Sequence, residues 1–295
     1  MTPGPVVLDL QTLQNPGLRE RGVARYAYEL AVALEQEHPQ LVGRYLLNPD
    51  LLPPGDLGPI LSSGKVDYAD LSDPVLPGAR VLHVISPFDS AVPIGRIWPR
   101  WAHERGLRFC ATVYDPIPPG PGGPSLDDLR RRTRHSAGLE VLRAADALLT
   151  TSVATSQSLE ENLGIDPRRL HTVGSGSERR LVPAAPGENA YLLAQASVPD
   201  LEPSFVLYPA GGGTHDNIEA LIAAFARLPA PLRSSRQLVV SGHLPEAIAN
   251  RLRDVAGTEG VDGRVLFTGA VPTEVMLRPG DRARVLSFAL PRVRT

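Results

Sequence analysis

An α/β fold of two parallel-sheet units is what this sequence predicts, and three observations carry the prediction. Short apolar runs with β-type residues alternate with amphipathic helical stretches along most of the 295 residues, the pattern of parallel strands joined by helical crossovers. The chain opens with the apolar run Val6–Leu10, a polar loop and a helix begun by Gly22. The same order recurs in the second half: Phe205–Tyr208, a turn with Gly211, Gly212 and Gly213, then a helix. In that last helix Ile218, Leu221, Ile222, Phe225 and Leu228 fall on one face.

Taken in order, the elements read as follows. Asn15-Pro16-Gly17 marks a turn in the first loop, and Val23, Ala27, Leu30, Ala31 and Leu34 share one face of the first helix. Leu41–Leu47 reads as a second strand, whereas 48–64 is rich in Pro and Gly and yields no element. Val81–Ser86 is a strong strand, and 93–106 holds a short helix with Trp98 and Trp101. Phe109–Tyr114 is the next strand, ending in Asp115-Pro116-Ile117-Pro118. Ser125 caps a helix with Asp127 and Asp128 in its first turn, where acidic groups favour the dipole. Its Arg130, Arg131, Arg132 and Arg134 read as a solvated face, with contact to lipid or acceptor phosphate as the alternative. Ala147–Thr151, a capped helix 152–163 and Leu170–Val173 complete the first half.

Residues 181–204 carry Pro183, Pro186, Gly187, Pro199 and Pro203, with one short helix over 191–196. They read as a linker, so the expected division is a domain at 1–182, a linker at 183–203 and a partial second domain at 204–295. After the glycine turn and its helix come Gln237–Ser241, a helix 245–255, Val265–Thr268, a short helix after Pro272 and a strand Arg284–Phe288. Both halves are Rossmann-like, with ligands expected at the carboxyl ends of their strands and facing a cleft. The first loop lacks the G-x-G-x-x-G fingerprint of dinucleotide binding.

Composition narrows the function. The net charge of −2 argues against bulk nucleic-acid binding. Residues 1–5 have neither the basic nor the apolar region of a signal peptide, and no window is apolar enough to span a membrane, so a cytoplasmic location is expected. Cys110 is the single cysteine and lies in an apolar run, so it reads as a buried structural thiol. No metal-ligand cluster, Ser-His-Asp arrangement or Walker loop is visible.

The turn Gly211–Gly213 is the main candidate site. Glycines let the backbone come close to a ligand, and free N–H groups before a helix attract anions; a plain tight turn is the alternative. Of seven histidines, His83 and His215 are placed near the strand ends, and His83 reads more readily as a structural strand-end residue.

Several segments, taken together, carry a resemblance over residues 6–286: Arg21-Gly-Val-Ala-Arg-Tyr26, His83-Val-Ile-Ser-Pro-Phe88, Val113-Tyr-Asp-Pro-Ile-Pro118, Ala144–Ser152, Val173–Gly176, Tyr208–Leu221 and Val265–Val271. In order and spacing they resemble the GT-B-fold retaining glycosyltransferases of the group 1 (family 4) type. That resemblance implies GT-B architecture and transfer from a nucleotide-diphospho-sugar to an acceptor hydroxyl. It implies no further cofactor and no metal. The first domain would hold a carbohydrate or lipid-linked acceptor, with peripheral membrane contact an option. Arg21, His83, Ser86 and Tyr114 would lie on that acceptor side, with Asp115 as the catalytic candidate or a turn-forming residue. Gly22, Gly211, Gly212, Gly213 and Asn217 would serve donor and phosphate.

Three departures qualify the implication. Tyr114 stands where many relatives have histidine, and a phenol is a poorer acid–base group at neutral pH. His215 and Asp216 replace the usual Arg and Lys; a carboxylate about 5 Å from a phosphate charge costs roughly 3 kcal/mol at an effective dielectric near 20. Weak nucleotide affinity is therefore expected. Relatives also carry a pair of glutamates after the strand matching Arg284–Phe288, and no glutamate follows Glu274 here. A truncation or frameshift near 277–290 is expected, with an incomplete second domain, an open sheet edge and doubtful activity. A non-catalytic binding or assembly protein and a GT-B-like sugar-nucleotide epimerase are the competing functions.

Overall fold

The computed structural model describes residues 5–15, 22–54, 57–68, 78–85, 87–88, 104, 106–114, 126–176, 195–210, 217–242, 244–269, 271 and 283–285. The chain divides into two compact units, Met1–Gly176 and Ser177–Thr295.

The first unit carries β1 (Val6–Asp9), α1 (Gly22–Glu37), β2 (Val42–Leu47), α2 (Pro59–Ser62), β3 (Val66–Tyr68), β4 (Val81–Ile85), β5 (Arg108–Val113), α3 (Leu126–Ala144), β6 (Ala147–Thr150), α4 (Val153–Leu163) and β7 (Leu170–Thr172). Its seven strands form one parallel sheet in the order β3-β2-β1-β4-β5-β6-β7. The chain winds outward from β1 to β3, returns to place β4 beside β1, and winds the other way. This reversal makes the gap between the carboxyl ends of β1 and β4 the crevice of a doubly wound sheet.

Alternation along the strands builds two core layers. Leu82, Val84, Phe109, Ala111 and Val113 meet Val141 and Leu142 of α3 and Leu159 of α4 on one face. Leu8, Tyr45, Leu47 and Ile85 meet Ala24, Ala27 and Ala31 of α1 on the other. The three alanines bring that helix close to the sheet and leave space for Tyr45, whose hydroxyl donates to the Glu35 carboxylate at 2.9 Å. α4 starts where Ser152 accepts the Thr155 amide at 3.0 Å and ends at Gly164, at φ +65°. Both ends are thus set by the residues that favour them.

Phe88, just after β4, stacks on His135 of α3 with centroids 5.2 Å apart and planes 21° from parallel. Gly138, one turn on, makes this possible: a Cβ there would come within 2.4 Å of the Phe88 ring. Gly138→Ala should therefore destabilise the first unit by about 1–2 kcal/mol, although helix propensity alone favours alanine by nearly 1 kcal/mol. Urea denaturation checks the sign; a stabilised variant would mean the ring is not seated there.

The second unit carries β8 (Phe205–Pro209), α5 (Ile218–Ala226), α6 (Ala230–Ser234), β9 (Gln237–Ser241), α7 (Glu246–Thr258), β10 (Val265–Gly269) and β11 (Ala283–Val285). All pairings are parallel, in the order β10-β9-β8-β11. This repeats the winding of the first unit: third, second, first, fourth. Ile218, Leu221, Ile222 and Phe225 of α5 bury with Leu252 and Ala256 of α7 against Leu238 and Val240. Leu201, Phe205, Leu207 and Val239 form the layer on the opposite face.

The expected strands and long helices are present, with ends shifted by one to three residues. Three short elements, α2, β3 and α6, were not legible. The 93–106 helix (apart from Glu104), the helix after Pro272, the cap at Ser125, the side chains of Arg130, Arg131 and Arg134, and residues 286–288 lie outside the described residues. Arg132 is exposed. The expected linker lies mostly outside them as well, with one helical turn at 195–197.

Candidate functional site

At the carboxyl edge of the first sheet, β1 runs into a short 3-10 helix, Gln11–Gln14. The Asp9 carboxylate ends the strand by accepting the Gln11 amide at 2.9 Å, the self-capping turn that aspartate favours. Thr12 donates its hydroxyl to the Ile85 carbonyl at 3.0 Å, bridging the β1 and β4 ends. Gln14 accepts the Asn48 amide at 2.8 Å and donates to the Asn48 carbonyl at 2.9 Å, which fixes the loop after β2. Asp9 is buried among Leu46, Val84 and their neighbours, and burial raises its carboxyl pKa from 3.8 to about 6.

A second cluster lies on the α1 face of the sheet. His83 and Thr112 are buried, and His83 Nε2 is 2.8 Å from the Thr112 hydroxyl. Burial lowers the His83 pKa to about 4, so the ring is neutral at neutral pH. The Thr112 hydroxyl also hydrogen-bonds the Tyr26 phenol, whose pKa burial raises. Tyr26 meets Tyr114 edge to face, with centroids 5.9 Å apart at 68°. The Tyr114 hydroxyl in turn lies against Gly22, where a Cβ would be 3.3 Å from it. Thr151 donates to the Tyr114 carbonyl at 3.1 Å, so main chain and ring are both held. Cys110, half-buried on the same face, has its thiol pKa raised to about 11 by burial and stays protonated at neutral pH.

Three loops run side by side at the carboxyl edge of the second sheet. The Ala210 amide donates to the Ser241 carbonyl at 2.6 Å, and the Gly242 amide to the Gly269 carbonyl at 2.8 Å. Gly242 has φ +136°, and a Cβ there would lie 2.1 Å from the Ala210 carbonyl oxygen. Beside these loops is a pocket of about 410 Å³ lined by Gly242, Leu244, Glu246, Arg253, Phe267 and Gly269. The Arg253 guanidinium lies over the Phe267 ring at 5.7 Å, a cation–π contact that leaves donor groups in the pocket wall.

Of the residues expected to serve a site, Gly22, His83 and Tyr114 come together in the α1 cluster. Asn217 opens α5 in a left-handed conformation, φ +48°, which asparagine tolerates. Arg21, Ser86, Asp115, Gly211, Gly212, Gly213, His215 and Asp216 lie outside the described residues. The sequence reading passed over Asp9, Gln11, Tyr26 and Thr112. An acid within the apolar run Val-Val-Leu-Asp-Leu was the available signal for the first of these. Among the described residues no group of His, Cys, Asp and Glu is arranged to hold a metal, and no helix is long and apolar enough to cross a membrane.

No family model matches the chain, and no curated protein does. Solved structures do. Anabaena Alr3699/HepE, crystallised with UDP, matches 94% of this chain over 71% of its own, at TM-score 0.57 and 13% identity. WaaG, a glycosyltransferase involved in lipopolysaccharide biosynthesis, matches 92% over 72%, at TM-score 0.52 and 14% identity. The catalytic domain of starch synthase IV from Arabidopsis thaliana, bound to ADP and acarbose, matches 94% over 76%, at TM-score 0.53 and 10% identity. Identities this low speak for the fold, and with the winding order repeated in both sheets they place the chain in the GT-B fold, an α/β architecture of two Rossmann-like units.

Proposed function

We propose that the chain binds a nucleotide-diphospho-sugar on its second unit and transfers the sugar, with retention, to an acceptor hydroxyl presented by the first. The carrying observation is the carboxyl edge of the second sheet. There the β8, β9 and β10 loops lie in contact through glycine beside a pocket of about 410 Å³, in the size range of small-ligand sites. The base of the nucleotide belongs in this pocket, against Phe267 and within reach of Arg253. The diphosphate belongs on Gly211–Gly213, which continue directly from Ala210, with Asn217 opening the helix behind. One neighbour of the same fold, Anabaena HepE, crystallised with UDP and with UDP-glucose, supports this assignment. Arg21, His83, Ser86 and Tyr114 belong to the acceptor side, Gly22, which lies against Tyr114, serves donor and phosphate, and Asp115 is the proposed catalytic group. A carbohydrate or lipid-linked acceptor and a cytoplasmic working location complete the reading.

Titration calorimetry with UDP and UDP-glucose tests it. The wild-type chain is expected to bind weakly, because Asp216 puts a negative charge in the donor loop where the resembling enzymes carry a basic residue. Asp216→Asn should tighten UDP binding by about 100-fold, the equivalent of roughly 3 kcal/mol. Low-micromolar wild-type binding without divalent metal would sink the weak-donor expectation, and no heat with either chain would sink the nucleotide reading. A transfer assay then separates an enzyme from a chain that binds without chemistry.

A further inference from the structure

We propose that Tyr26 and Tyr114 form a preset aromatic subsite that stacks against the apolar face of a sugar ring, with Gly22 as its open side. This rests on the first unit being the acceptor half and names a carbohydrate as what that half holds.

The two rings are half-buried at the carboxyl edge of the sheet, with Tyr26 packing against the α1-side core layer. Each is held before any ligand arrives. Thr112 holds the Tyr26 phenol from behind and is itself held by His83 Nε2 at 2.8 Å. Tyr26 then sets Tyr114 edge to face at 5.9 Å, and the Thr151 hydroxyl fixes the Tyr114 main chain at 3.1 Å. A buried neutral histidine and a buried threonine hydroxyl therefore act as positioning residues for Tyr26, which also packs against the α1-side core, and through it for Tyr114. Fixed tyrosines offer a large contact face at a small entropy cost, with a hydroxyl at the rim. A pyranose has the matching form: one face of C–H groups, bordered by hydroxyls.

The cluster also fits a neutral ligand. Burial keeps His83 and the Tyr26 phenol uncharged at neutral pH. Gly22 is exposed, and any side chain there would press on the Tyr114 hydroxyl, from which a Cβ stands only 3.3 Å. Glycine thus keeps the phenol in place and the side beside it open.

Saturation-transfer NMR on the full chain is the test, with methyl α-glucopyranoside, methyl β-galactopyranoside and methyl α-mannopyranoside at about 20 mM, suited to the millimolar affinity of a single ring contact. Transfer is expected to at least one glycoside and to be strongest at the protons of one ring face. Tyr114→Phe should keep it; Tyr114→Ala, Tyr26→Ala and Gly22→Val should each reduce it at least threefold. Gly22→Val alters an exposed position, so it keeps the test decisive where removing a tyrosine disturbs folding, as circular dichroism would reveal. No transfer to any glycoside by the wild-type chain, or undiminished transfer in the folded variants, overturns the subsite. Titration with UDP on the same samples separates the two readings. UDP binding without glycoside binding overturns the subsite alone, and glycoside binding without UDP binding leaves the subsite standing and overturns the donor assignment.

Discussion

Gly242→Ala is expected to cost the second unit about 3 kcal/mol or more and to weaken nucleotide binding with it. Two costs add at this position. The backbone at φ +136° is a conformation that residues with a Cβ rarely adopt, a strain of about 1–3 kcal/mol. The new methyl would also lie 2.1 Å from the Ala210 carbonyl oxygen, and its obstacle is main chain, which cannot rotate aside as a side chain would. Either the β9 loop or the β8 loop must move. Ala210 leads directly into Gly211–Gly213, so a shift there reaches the proposed diphosphate seat. Hydrogen exchange at β8 and β9 amides should rise by about two orders of magnitude, the equivalent of roughly 3 kcal/mol, while β1, β4 and β5 keep wild-type protection. Wild-type protection at β8 and β9 in the variant would show that the close approach at Gly242 does not exist.

The second large effect is a cancellation in the pH dependence of the first unit. Asp9 has its pKa raised from 3.8 to about 6, so its contribution is full below pH 3.8 and is lost as pH rises through about 6. His83 has its pKa lowered from 6.5 to about 4. Its contribution is full above pH 6.5 and is lost as pH falls through about 4. Each shift of a little over two units is worth about 3 kcal/mol, with opposite sign over the same window. Between pH 4 and 6.5 the wild-type chain should therefore show a nearly flat stability from these two groups. Asp9→Asn removes the falling limb, so its stability should climb with pH across that window and exceed wild type at pH 7. His83→Gln, which retains a partner for Thr112, should show the reverse slope. Urea midpoints at four pH values decide this; parallel profiles for wild type and Asp9→Asn would mean Asp9 is not held in a desolvated site.

Both effects come from positions that look ordinary as letters. Asp9 is one acid in an apolar run, and its cost depends on Leu46 and Val84 closing over it from neighbouring strands. Gly242 follows a strand, as glycines often do, and only the loop beside it makes the missing Cβ necessary. Gly138 reads as a weak spot in a helix until Phe88, 50 positions earlier, lies across it.

What the sequence by itself determined is the alternation of strand and helix, because the periods of 2 and 3.6 are local properties of the chain. From that alternation follow the parallel sheets, the α/β class and the recurrence of one design in both halves. The cap at Ser152 and the αL glycine at Gly164 are local in the same way. Strand order, the pairing of β1 with β4 and the meeting of Gly22, Tyr26, His83, Thr112 and Tyr114 were decided only by tertiary structure. Those contacts join residues up to 92 positions apart, and no local period encodes which distant strand lies alongside. The short elements α2, β3 and α6 belong with them: each is too brief to show a period and is held in place by its neighbours.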